Sequence, residues 1–336
     1  MIREAIEKLV SGKSLSINES ESVMEEIMEG KASDSQFGAF VTALRLKGEV
    51  VDELVGMTRI MRNKSLKVQI EGPLLDTCGT GGDGSTTFNI STTSAFVAAG
   101  AGIKVAKHGN RAMSSNSGSA DILESLGARI DLQPQDVKQC LEETGFGFFF
   151  AQSFHPSMRY AAAPRREIGI RTIFNFLGPL TNPANAKFQL LGVSDKNMAI
   201  KMIKVLKALG SEGVMVVCGH ESVDELTTHG PSEVWELKDG AIESYDMKPE
   251  QLGVPFSPLK TIKVQNVTES LAMLQSVLDG QKGPARDIVL INSAAALSTI
   301  GHASDLKEGL IMSADSIDSG KAADALKSFI GLTQKF

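Results

Sequence analysis

The segment from residue 76 to residue 92 carries the residue types that could bind a phosphate-rich ligand. It reads DTCGTGGDGSTTFNIST, and its glycines are Gly79, Gly81, Gly82 and Gly84. Because glycine has no Cβ, the backbone of such a loop can approach a ligand closely, and its exposed N–H groups form a concavity that attracts anions. The hydroxyl residues that follow stand where a helix would begin, and a helix N-terminus also favours phosphate. The segment therefore predicts a phosphate-binding loop.

Two familiar nucleotide-binding motifs do not fit this loop. Residues 79–84 match GxGxxG literally, but a dinucleotide site also requires an acidic residue about 20 positions further on. Residues 102–104, at that distance, read Gly-Ile-Lys. The Walker motif fails because Ser85 stands where that motif has its lysine. What remains is a phosphate loop of another type, or a tight turn without a ligand.

A second polar cluster, KHGNR, occupies residues 107–111. No Asp or Glu occurs from residue 84 to residue 120, although the chain as a whole is acidic. Taken alone, the cluster could be a solvated surface loop, which is where grouped charges usually lie. Since it follows a predicted strand and precedes the serines of residues 114–119, we interpret it as a second phosphate clamp.

A third polar group combines two histidines with adjacent carboxylates. His220, Glu221, Asp224, Glu225 and His229 follow a predicted buried strand, with neither an HExxH motif nor a thiolate at zinc-ligand spacing. Two adjacent carboxylates suit a hard cation such as Mg²⁺, which proteins usually hold through one or two carboxylates together with substrate phosphates. An ordinary polar loop is the alternative.

The elements that must position these loops begin with a helical region. Helical patterns fill most of the first 65 residues, and Gly12, Gly30 and Gly48 end the first three of them. Ser33 and Gln36 form a capping-box signature at the start of the third. The patterns run over residues 2–10, 19–28, 35–46 and 51–62. Because no strand pattern interrupts them, we predict a small helical domain over residues 1–70.

From residue 71 to residue 336 short apolar runs alternate with helical patterns. The runs predict buried strands at residues 74–75, 103–106, 146–151, 190–193 and 214–218, and a hairpin at residues 234–237 and 242–245. The helical patterns lie at residues 93–99, 120–126, 136–144, 198–209, 269–278, 285–299 and 319–330. We therefore predict an α/β fold: a small N-terminal helical domain plus a larger α/β domain with a mostly parallel central sheet. Both predicted phosphate loops follow strands, and ligands bind at the carboxyl ends of strands in such sheets.

Composition excludes several classes of protein. The 336 residues include 34 Lys and Arg against 40 Asp and Glu, which gives a formal net charge of −6 and a pI near 5.5. This charge is a poor match for nonspecific binding to nucleic acid or to an anionic membrane. Cys78, Cys140 and Cys218 form no CxxC motif, and no apolar run approaches 18 residues. We therefore expect a cytoplasmic protein without disulfides or membrane spans, in which Cys78 is a small loop residue.

Four motifs in order give the chain a resemblance to a known family. They are GTGGDGSTTFNIST at 79–92, KHGNRAMSSNSGSAD at 107–121, RREIGIRTIFNFLGPLTNPA at 165–184 and VDEL at 223–226. Together they resemble the anthranilate phosphoribosyltransferase family, with one departure at Asn116, where many members carry Lys. The resemblance implies transfer of the 5-phosphoribosyl group from phosphoribosyl pyrophosphate to the amine of anthranilate, with Mg²⁺ as cofactor and a homodimer as the assembly. It also implies that helices within residues 156–185 pack on the helical domain.

The resemblance further implies which residues form the site. Phosphoribosyl pyrophosphate would contact Gly79, Gly82, Asp83, Thr87, Asn89, Ile90, Ser91, Thr92, Lys107, His108, Gly109, Asn110, Arg111, Ala112, Met113, Ser114, Ser115 and Ser119. Anthranilate would contact Gly79, His108, Asn110, His155, Arg165, Gly178 and Pro179, and the metal would be held by Ser91, Asp224 and Glu225. Arg165 would meet the carboxylate of anthranilate, which a guanidinium matches in bidentate geometry. The alternatives are a related pentosyltransferase, such as a pyrimidine nucleoside phosphorylase, and a noncatalytic paralogue that binds nucleic acid.

Overall fold

The computed structural model of the chain describes residues 1–112 and 118–336. Its first part consists of the helices α1 (Ile2–Val10), α2 (Ile17–Met28), α3 (Asp34–Lys47) and α4 (Val51–Lys64). Capping boxes start two of these helices, with Ser16 and Glu19 at α2 and Ser33 and Gln36 at α3. The capping box predicted from the sequence is thus confirmed. Gly48 follows α3 with a φ of +85°, a conformation that glycine adopts without strain, which explains why α3 ends there.

The rest of the chain alternates strands with helices, as predicted. The strands are β1 (Leu75–Gly79), β2 (Val105–Gly109), β3 (Phe146–Phe150), β4 (Phe188–Gly192), β5 (Gly213–Cys218), β6 (Ser232–Lys238) and β7 (Ala241–Met247). The helices are α5 (Ile90–Gly100), α6 (Ser119–Ser125), α7 (Pro134–Thr144), α8 (Ala151–Phe154), α9 (Arg159–Ile168), α10 (Phe174–Leu177), α11 (Lys196–Ala208), α12 (Val267–Leu278), α13 (Pro284–Thr299), α14 (Leu306–Asp318) and α15 (Lys321–Thr333). Short 3₁₀ segments lie at Pro156–Met158, Gly178–Leu180, His220–Ser222, Pro249–Leu252 and Leu259–Ile262.

The sequence patterns miss α14 entirely and predict only the first residue of β1. Asp305 caps α14 by accepting hydrogen bonds from the amides of Lys307 and Glu308. Gly309 in this helix lies so close to α13 that an added Cβ would be 2.7 Å from the carbonyl oxygen of Ala294. Packing against the preceding helix α13 therefore stabilises α14, and such tertiary packing leaves little local signal. β1 continues to Gly79 because β4 pairs with it in parallel along its whole length.

The described strands form a single sheet in the order β3-β2-β1-β4-β5-β6-β7. Neighbouring strands from β3 to β5 are parallel, and β6 and β7 complete the sheet as an antiparallel hairpin. The hairpin turns at Asp239 and Gly240, which both have positive φ, the turn geometry that twisted strands prefer. The predicted α/β fold with a mostly parallel central sheet is confirmed.

Apolar cores cover both faces of this sheet. One core joins α5, α12, α13 and α15 to the strands. The other joins α1 to α4 with residues of α9, α10, α11 and the opposite face of the sheet. In this second core the ring of Phe37 in α3 lies 5.1 Å from the ring of Phe174 in α10. Residues after Pro156 thus contact the N-terminal helices. Within the described part of the chain no helix combines the length and the apolar character needed to cross a membrane.

A buried carboxylate joins α3 to the start of α4. Glu53 has no exposed surface, and its two oxygens accept hydrogen bonds from Nζ of Lys47 at 2.7 and 2.8 Å. They also accept from the backbone amides of Leu15 and Val50, both at 2.9 Å. Removing the negative charge would leave the ammonium of Lys47, which is only 6% exposed, without a counter-charge.

Replacing Glu53 by Gln should therefore lower the free energy of unfolding by about 3 to 5 kcal/mol, the usual cost of breaking a buried ion pair from one side. Urea denaturation followed by circular dichroism measures this loss. Glu142→Gln is the matched control, because Glu142 pairs with Lys138 at an exposed helix surface, where such pairs contribute less than about 1 kcal/mol. Equal losses in the two variants would contradict the importance of the buried pair.

Candidate active site

The three polar segments found in the sequence meet at the carboxyl edge of the parallel strands. The glycine loop leaves β1, the KHGNR segment ends β2, and the VDEL segment follows β5. The first and third segments touch directly, because the backbone amide of Gly81 donates a hydrogen bond to Oδ2 of Asp224 at 2.7 Å. This edge is therefore the candidate active site.

Two glycines allow this contact between segments. Gly79 ends β1 and pairs with Gly192 at the end of β4. A Cβ at Gly79 would overlap the carboxylate of Asp224, and a Cβ at Gly192 would overlap the carbonyl oxygen of Asp224. The VDEL segment can therefore lie across the ends of both strands only because neither position carries a side chain.

Three carboxylates gather at this point. The backbone amide of Asp224 donates to Oδ2 of Asp83 at 3.4 Å, and Glu225 follows Asp224 in the chain. Burial, and then the charge of Asp83, raise the pKa of Asp224 to about 7. Burial and the neighbouring Asp224 raise the pKa of Glu225 well above its ordinary value. The like charges repel one another, so a cation at this place would stabilise the ionised cluster.

The donors at this edge suit a cation site that the protein completes only in part. In residues 1–112 and 118–336 no group of three or more His, Cys, Asp or Glu side chains is placed to hold a metal ion by itself. Oxygen donors from two or three carboxylates, with the remaining positions left to water or phosphate, suit Mg²⁺ and do not suit a structural zinc ion. The residues thus fit a metal that is bound together with a phosphorylated ligand.

Lys107 lies beneath the glycine loop with only 1% of its surface exposed. Its Nζ donates hydrogen bonds to the carbonyl oxygen of Thr77 and, at 3.1 Å, to Oγ of Ser91. Burial lowers the pKa of Lys107, while the negative charges of Asp76 and Glu225 oppose that shift. Lys107 is therefore a buried cation beside the acidic cluster, and its predicted contact with phosphate stays a prediction.

The residues at the start of α5 are held by their own hydrogen bonds. Oδ1 of Asn89 accepts from the amide of Thr92 at 3.1 Å and so caps the helix. Oγ1 of Thr87 lies 3.3 Å from Oγ of Ser85. The side chain of Ile90 is 1% exposed and belongs to the apolar core, so this residue can offer a ligand only its backbone. Thr92 is fully buried, and its hydroxyl has no partner among the described residues.

The second predicted clamp is tied to α6. Position 109 requires a glycine, because a Cβ there would overlap Oγ of Ser119. Oγ of Ser119 also contacts the carbonyl oxygen of Asn110 at 3.4 Å. The guanidinium of Arg111 binds the carboxylate of Glu124 and lies 5.6 Å from the ring centre of Phe150. Arg111 is thus engaged by α6, and its predicted contact with phosphate stays a prediction.

The last residues of the clamp are only partly described. Oδ2 of Asp121 accepts hydrogen bonds from the amide of Ala112 at 2.9 Å and from that of Gly118 at 3.0 Å. Asp121 therefore holds together the two ends of the segment between them. The predicted contacts of Met113, Ser114 and Ser115 lie outside the described residues.

Two of the residues predicted to bind an aromatic acceptor, His108 and His155, lie next to each other. The rings of His108 and His155 are 5.1 Å apart, both residues are buried, and Nε2 of each lacks a partner among the described residues. Burial holds the pKa of His108 well below its usual range, although a hydrogen bond with the backbone of Gly178 opposes the shift. Burial lowers the pKa of His155 to about 4, and the backbone of Thr181 opposes that shift. Both imidazoles are therefore neutral near pH 7.

Arg165, the predicted carboxylate-binding residue, lies on α9 as expected. Its guanidinium carbon is 5.5 Å from the ring centre of Phe174, and one of its nitrogens is 3.5 Å from the carbonyl oxygen of that residue. Burial lowers the pKa of Arg165 from its ordinary value. The guanidinium is thus held by an aromatic ring, and no acidic side chain in the described residues pairs with it.

A polar network between β1 and β2 escaped the sequence analysis. The two strands pair at Leu75 and Val105, and beyond that point side chains bridge them. Oδ1 of Asp76 accepts from the amide of His108 at 3.1 Å, and Nδ2 of Asn182 donates to the carbonyl oxygen of Ala106 at 2.8 Å. Asp76 is fully buried, and that burial raises its pKa to about 6.

The same network reaches the acceptor-side loop through Gln189 on β4. Its Nε2 donates to the carbonyl oxygen of Pro179 at 2.7 Å and lies 3.3 Å from Oδ2 of Asp76. The sequence did contain a signal for this network, because Asp76 and Gln189 are polar residues inside otherwise apolar strands. A buried polar side chain requires partners. Asp76, Asn182 and Gln189 thus position the loop of Gly178 and Pro179 against β1 and β2.

Comparisons with known proteins agree along the whole chain. Residues 3–65 match the helical bundle domain of a glycosyl transferase family, and residues 71–323 match the a/b domain of the same family. An anthranilate phosphoribosyltransferase from Dehalococcoides mccartyi is 50% identical over 336 residues, covering 99% of this chain and 98% of the relative.

Solved structures of the same enzyme superpose closely. The anthranilate phosphoribosyltransferase from Thermus thermophilus has a TM-score of 0.92 at 39% identity, covering 98% of this chain and 99% of its own. The Saccharomyces cerevisiae enzyme in complex with PRPP and Mg has a TM-score of 0.92 at 28% identity, covering 100% and 98%. Its complex with 4-fluoroanthranilate has a TM-score of 0.90 at 27% identity, covering the same shares.

The neutral state of His155 predicts how stability depends on pH. The unfolded chain binds a proton on this residue near pH 6.5, but the folded protein does so only near pH 4. Stability is therefore lost as pH falls below 6.5, and His155 should account for about 2 kcal/mol between pH 7 and pH 5. His155→Asn should remove that share of the loss, as measured by urea unfolding at several pH values. His302→Gln, at an exposed histidine, is the control, and equal pH profiles for His155→Asn and wild type would contradict the assignment.

Proposed function

The chain belongs to the anthranilate phosphoribosyltransferase family, and we propose that it transfers the 5-phosphoribosyl group from phosphoribosyl pyrophosphate to the amine of anthranilate. The products are N-(5-phosphoribosyl)anthranilate and pyrophosphate, which makes this a step of tryptophan biosynthesis. The observation that carries the proposal is the meeting of the glycine loop, the start of α5 and the pair Asp224–Glu225 at one edge of the sheet. This edge offers both anion-binding amides and a cation site, as a metal-bound pyrophosphate requires.

We place phosphoribosyl pyrophosphate along the glycine loop and the clamp after β2. Gly79, Gly82 and Asp83, the hydroxyl and amide groups of residues 87–92, and residues 107–115 with Ser119 are its proposed contacts. Lys107 would contribute positive charge from its buried position. Its ammonium donates a hydrogen bond to the hydroxyl of Ser91 and is attracted by the charge of Glu225.

The metal would be held by Asp224, Glu225 and Ser91. Mg²⁺, when bound there, neutralises charge on the leaving pyrophosphate. The crowding of Asp83, Asp224 and Glu225 supports this assignment, because burial and the neighbouring negative charges raise the pKa values of Asp224 and Glu225, so a bound cation would stabilise their ionised forms. Buried Lys107 compensates part of it and leaves the remainder for a cation.

Anthranilate would bind on the other side of the reacting carbon. We assign its carboxylate to Arg165 and its ring to the pocket of His155, Gly178 and Pro179, with Gly79, His108 and Asn110 near the amine. The neutral imidazoles of His108 and His155 suit this place, since they can form hydrogen bonds with the amine without adding positive charge. Positive charge would be unfavourable there, because cationic character grows on the ribose as pyrophosphate leaves.

Such a site catalyses mainly by positioning and by electrostatic stabilisation. The arylamine is already a neutral nucleophile, so no covalent enzyme intermediate is needed. The residues hold the amine in line with the anomeric carbon and stabilise the departing pyrophosphate, two effects that together account for much enzymatic rate enhancement. Closure of the cleft between the helical part and the sheet would exclude water, which could otherwise hydrolyse the activated ribose.

We further propose the division of the chain into a helical domain of residues 1–70 and an α/β domain of residues 71–336, with residues 156–185 packed on the former. The helical domain is the proposed surface of a homodimer. A cytoplasmic location fits the cysteines, because Cys78, Cys140 and Cys218 are all free thiols.

The activity is tested by following the fluorescence of anthranilate. It should fall only when phosphoribosyl pyrophosphate and a divalent cation are both present, because each supplies part of the leaving group. Omitting either one is the control. Phosphorolysis of thymidine or uridine without consumption of anthranilate would move the assignment to a pyrimidine nucleoside phosphorylase.

The metal assignment is tested with Asp224→Asn. In wild type, Mg²⁺ at about 100 times its dissociation constant should stabilise the fold by about 2.7 kcal/mol, seen as a raised melting temperature. The variant should lose this effect, yet without metal it should be at least as stable as wild type, because it removes one of several crowded carboxylates. Glu221→Gln changes an exposed neighbour and is the control. A variant that Mg²⁺ stabilises as strongly as wild type would refute the site.

A further inference from the structure

Arg171 connects the helical part of the protein to the glycine loop. It lies between α9 and α10, and its carbonyl oxygen accepts a hydrogen bond from the guanidinium of Arg45 on α3. Its own guanidinium donates to the carbonyl oxygens of Gly81 and Gly82, each at 3.0 Å. The ring of Phe176 supports it, with its centre 5.3 Å from the guanidinium carbon.

These two hydrogen bonds fix the direction of two successive peptide groups. In a trans peptide the N–H points opposite to the C=O. Since the carbonyl oxygens of Gly81 and Gly82 face Arg171, the amides that follow them, those of Gly82 and Asp83, point away from it. Positive φ values of +64° at Gly81 and +68° at Gly82 allow this arrangement.

The two amides are free to bind an anion. Neighbouring amides of the loop are used within the protein, since Thr80 donates to Gly192 and Gly81 donates to Asp224. The amides of Gly82 and Asp83, by contrast, donate to no partner in the described part of the chain. Adjacent N–H groups with a common direction form an anion-binding concavity. A cation bound to the carbonyl ends also polarises the peptides and so strengthens their N–H groups as donors.

We propose that Arg171 is a positioning residue, which holds the amides of Gly82 and Asp83 towards the pyrophosphate group of the substrate without touching it. This inference rests on the proposed function for the identity of that substrate. A planar guanidinium reaches both carbonyl oxygens at once, whereas the ammonium of a lysine is a single point charge on a flexible chain. The contact with Arg45 gives the loop a link to the helical part, so this alignment depends on both parts of the chain.

Arg171→Gln should weaken the binding of pyrophosphate in the presence of Mg²⁺ by about 10-fold to 100-fold, measured by calorimetry, since two charge-assisted hydrogen bonds are lost. The Michaelis constant for phosphoribosyl pyrophosphate should rise similarly, and that for anthranilate should change less than about threefold. Arg171→Lys should recover only part of the affinity. Arg166→Gln, at an exposed arginine of the preceding helix, should match wild type, and melting temperatures should show that all variants are folded.

A double-variant cycle separates positioning from direct contact. Gly81→Ala disturbs the loop backbone, because Gly81 has positive φ, although a methyl group meets no atom within 4 Å. If Arg171 acts through the loop, adding Arg171→Gln to Gly81→Ala should cost little more than the worse single change, because both disturb the same peptides. Fully additive losses would overturn the proposal and indicate that Arg171 touches the ligand.

The outcomes also distinguish this inference from the proposed function. Unchanged pyrophosphate binding in Arg171→Gln, in a protein that consumes anthranilate, would overturn the inference alone. Weakened pyrophosphate binding in a protein that does not consume anthranilate would overturn the proposed reaction and support the positioning role. Absence of pyrophosphate binding in wild type would overturn both.

Discussion

Charge held out of water at the carboxyl edge of the sheet is the constraint on which the rest of the site depends. Lys107 is almost completely buried between the charges of Asp76 and Glu225, and Asp224 and Asp83 lie near Glu225 in turn. An ion removed from water costs several kcal/mol unless other charges and hydrogen bonds compensate it. Lys107 therefore has to lie close to the acidic cluster. Because Gly79 and Gly192 have no side chains, the segment that carries Asp224 and Glu225 can approach the ends of β1 and β4 closely.

The same constraint explains why the sheet is polar at its centre. Where β1 and β2 separate, Asp76 and Asn182 take over hydrogen bonds that a neighbouring strand would otherwise make. Gln189 extends this arrangement to Pro179. At the edge that carries the site, hydrogen bonds from side chains thus replace regular strand pairing and hold the loops on both sides. Buried amide and carboxylate groups of this kind are costly when unpaired, which makes the arrangement specific.

Local patterns predicted the parts of the structure that local physics determines. Capping at Ser33, the turn at Asp239-Gly240 and the loops after β1 and β2 follow from residue types within a few positions. Tertiary contacts between elements were not predictable in this way. The ammonium of Lys107 is buried against β1, where it donates to the carbonyl oxygen of Thr77, and the guanidinium of Arg111 binds Glu124. The helix α14 is stabilised by its packing on α13. The three polar segments were found in the sequence, but their direct contact through Gly81 and Asp224 required the fold.

The order of strands has a consequence for how the chain folds. β1 lies between β2 and β4, and its residue Asp76 contacts Gln189, which is 113 positions further along the chain. Contacts between such distant residues form late, because a long loop must close before they stabilise anything. During synthesis the N-terminal helices leave the ribosome long before α11, which completes their core. The catalytic edge therefore assembles only after most of the chain exists, and until then the apolar surfaces of α1 to α4 and β1 are exposed to aggregation.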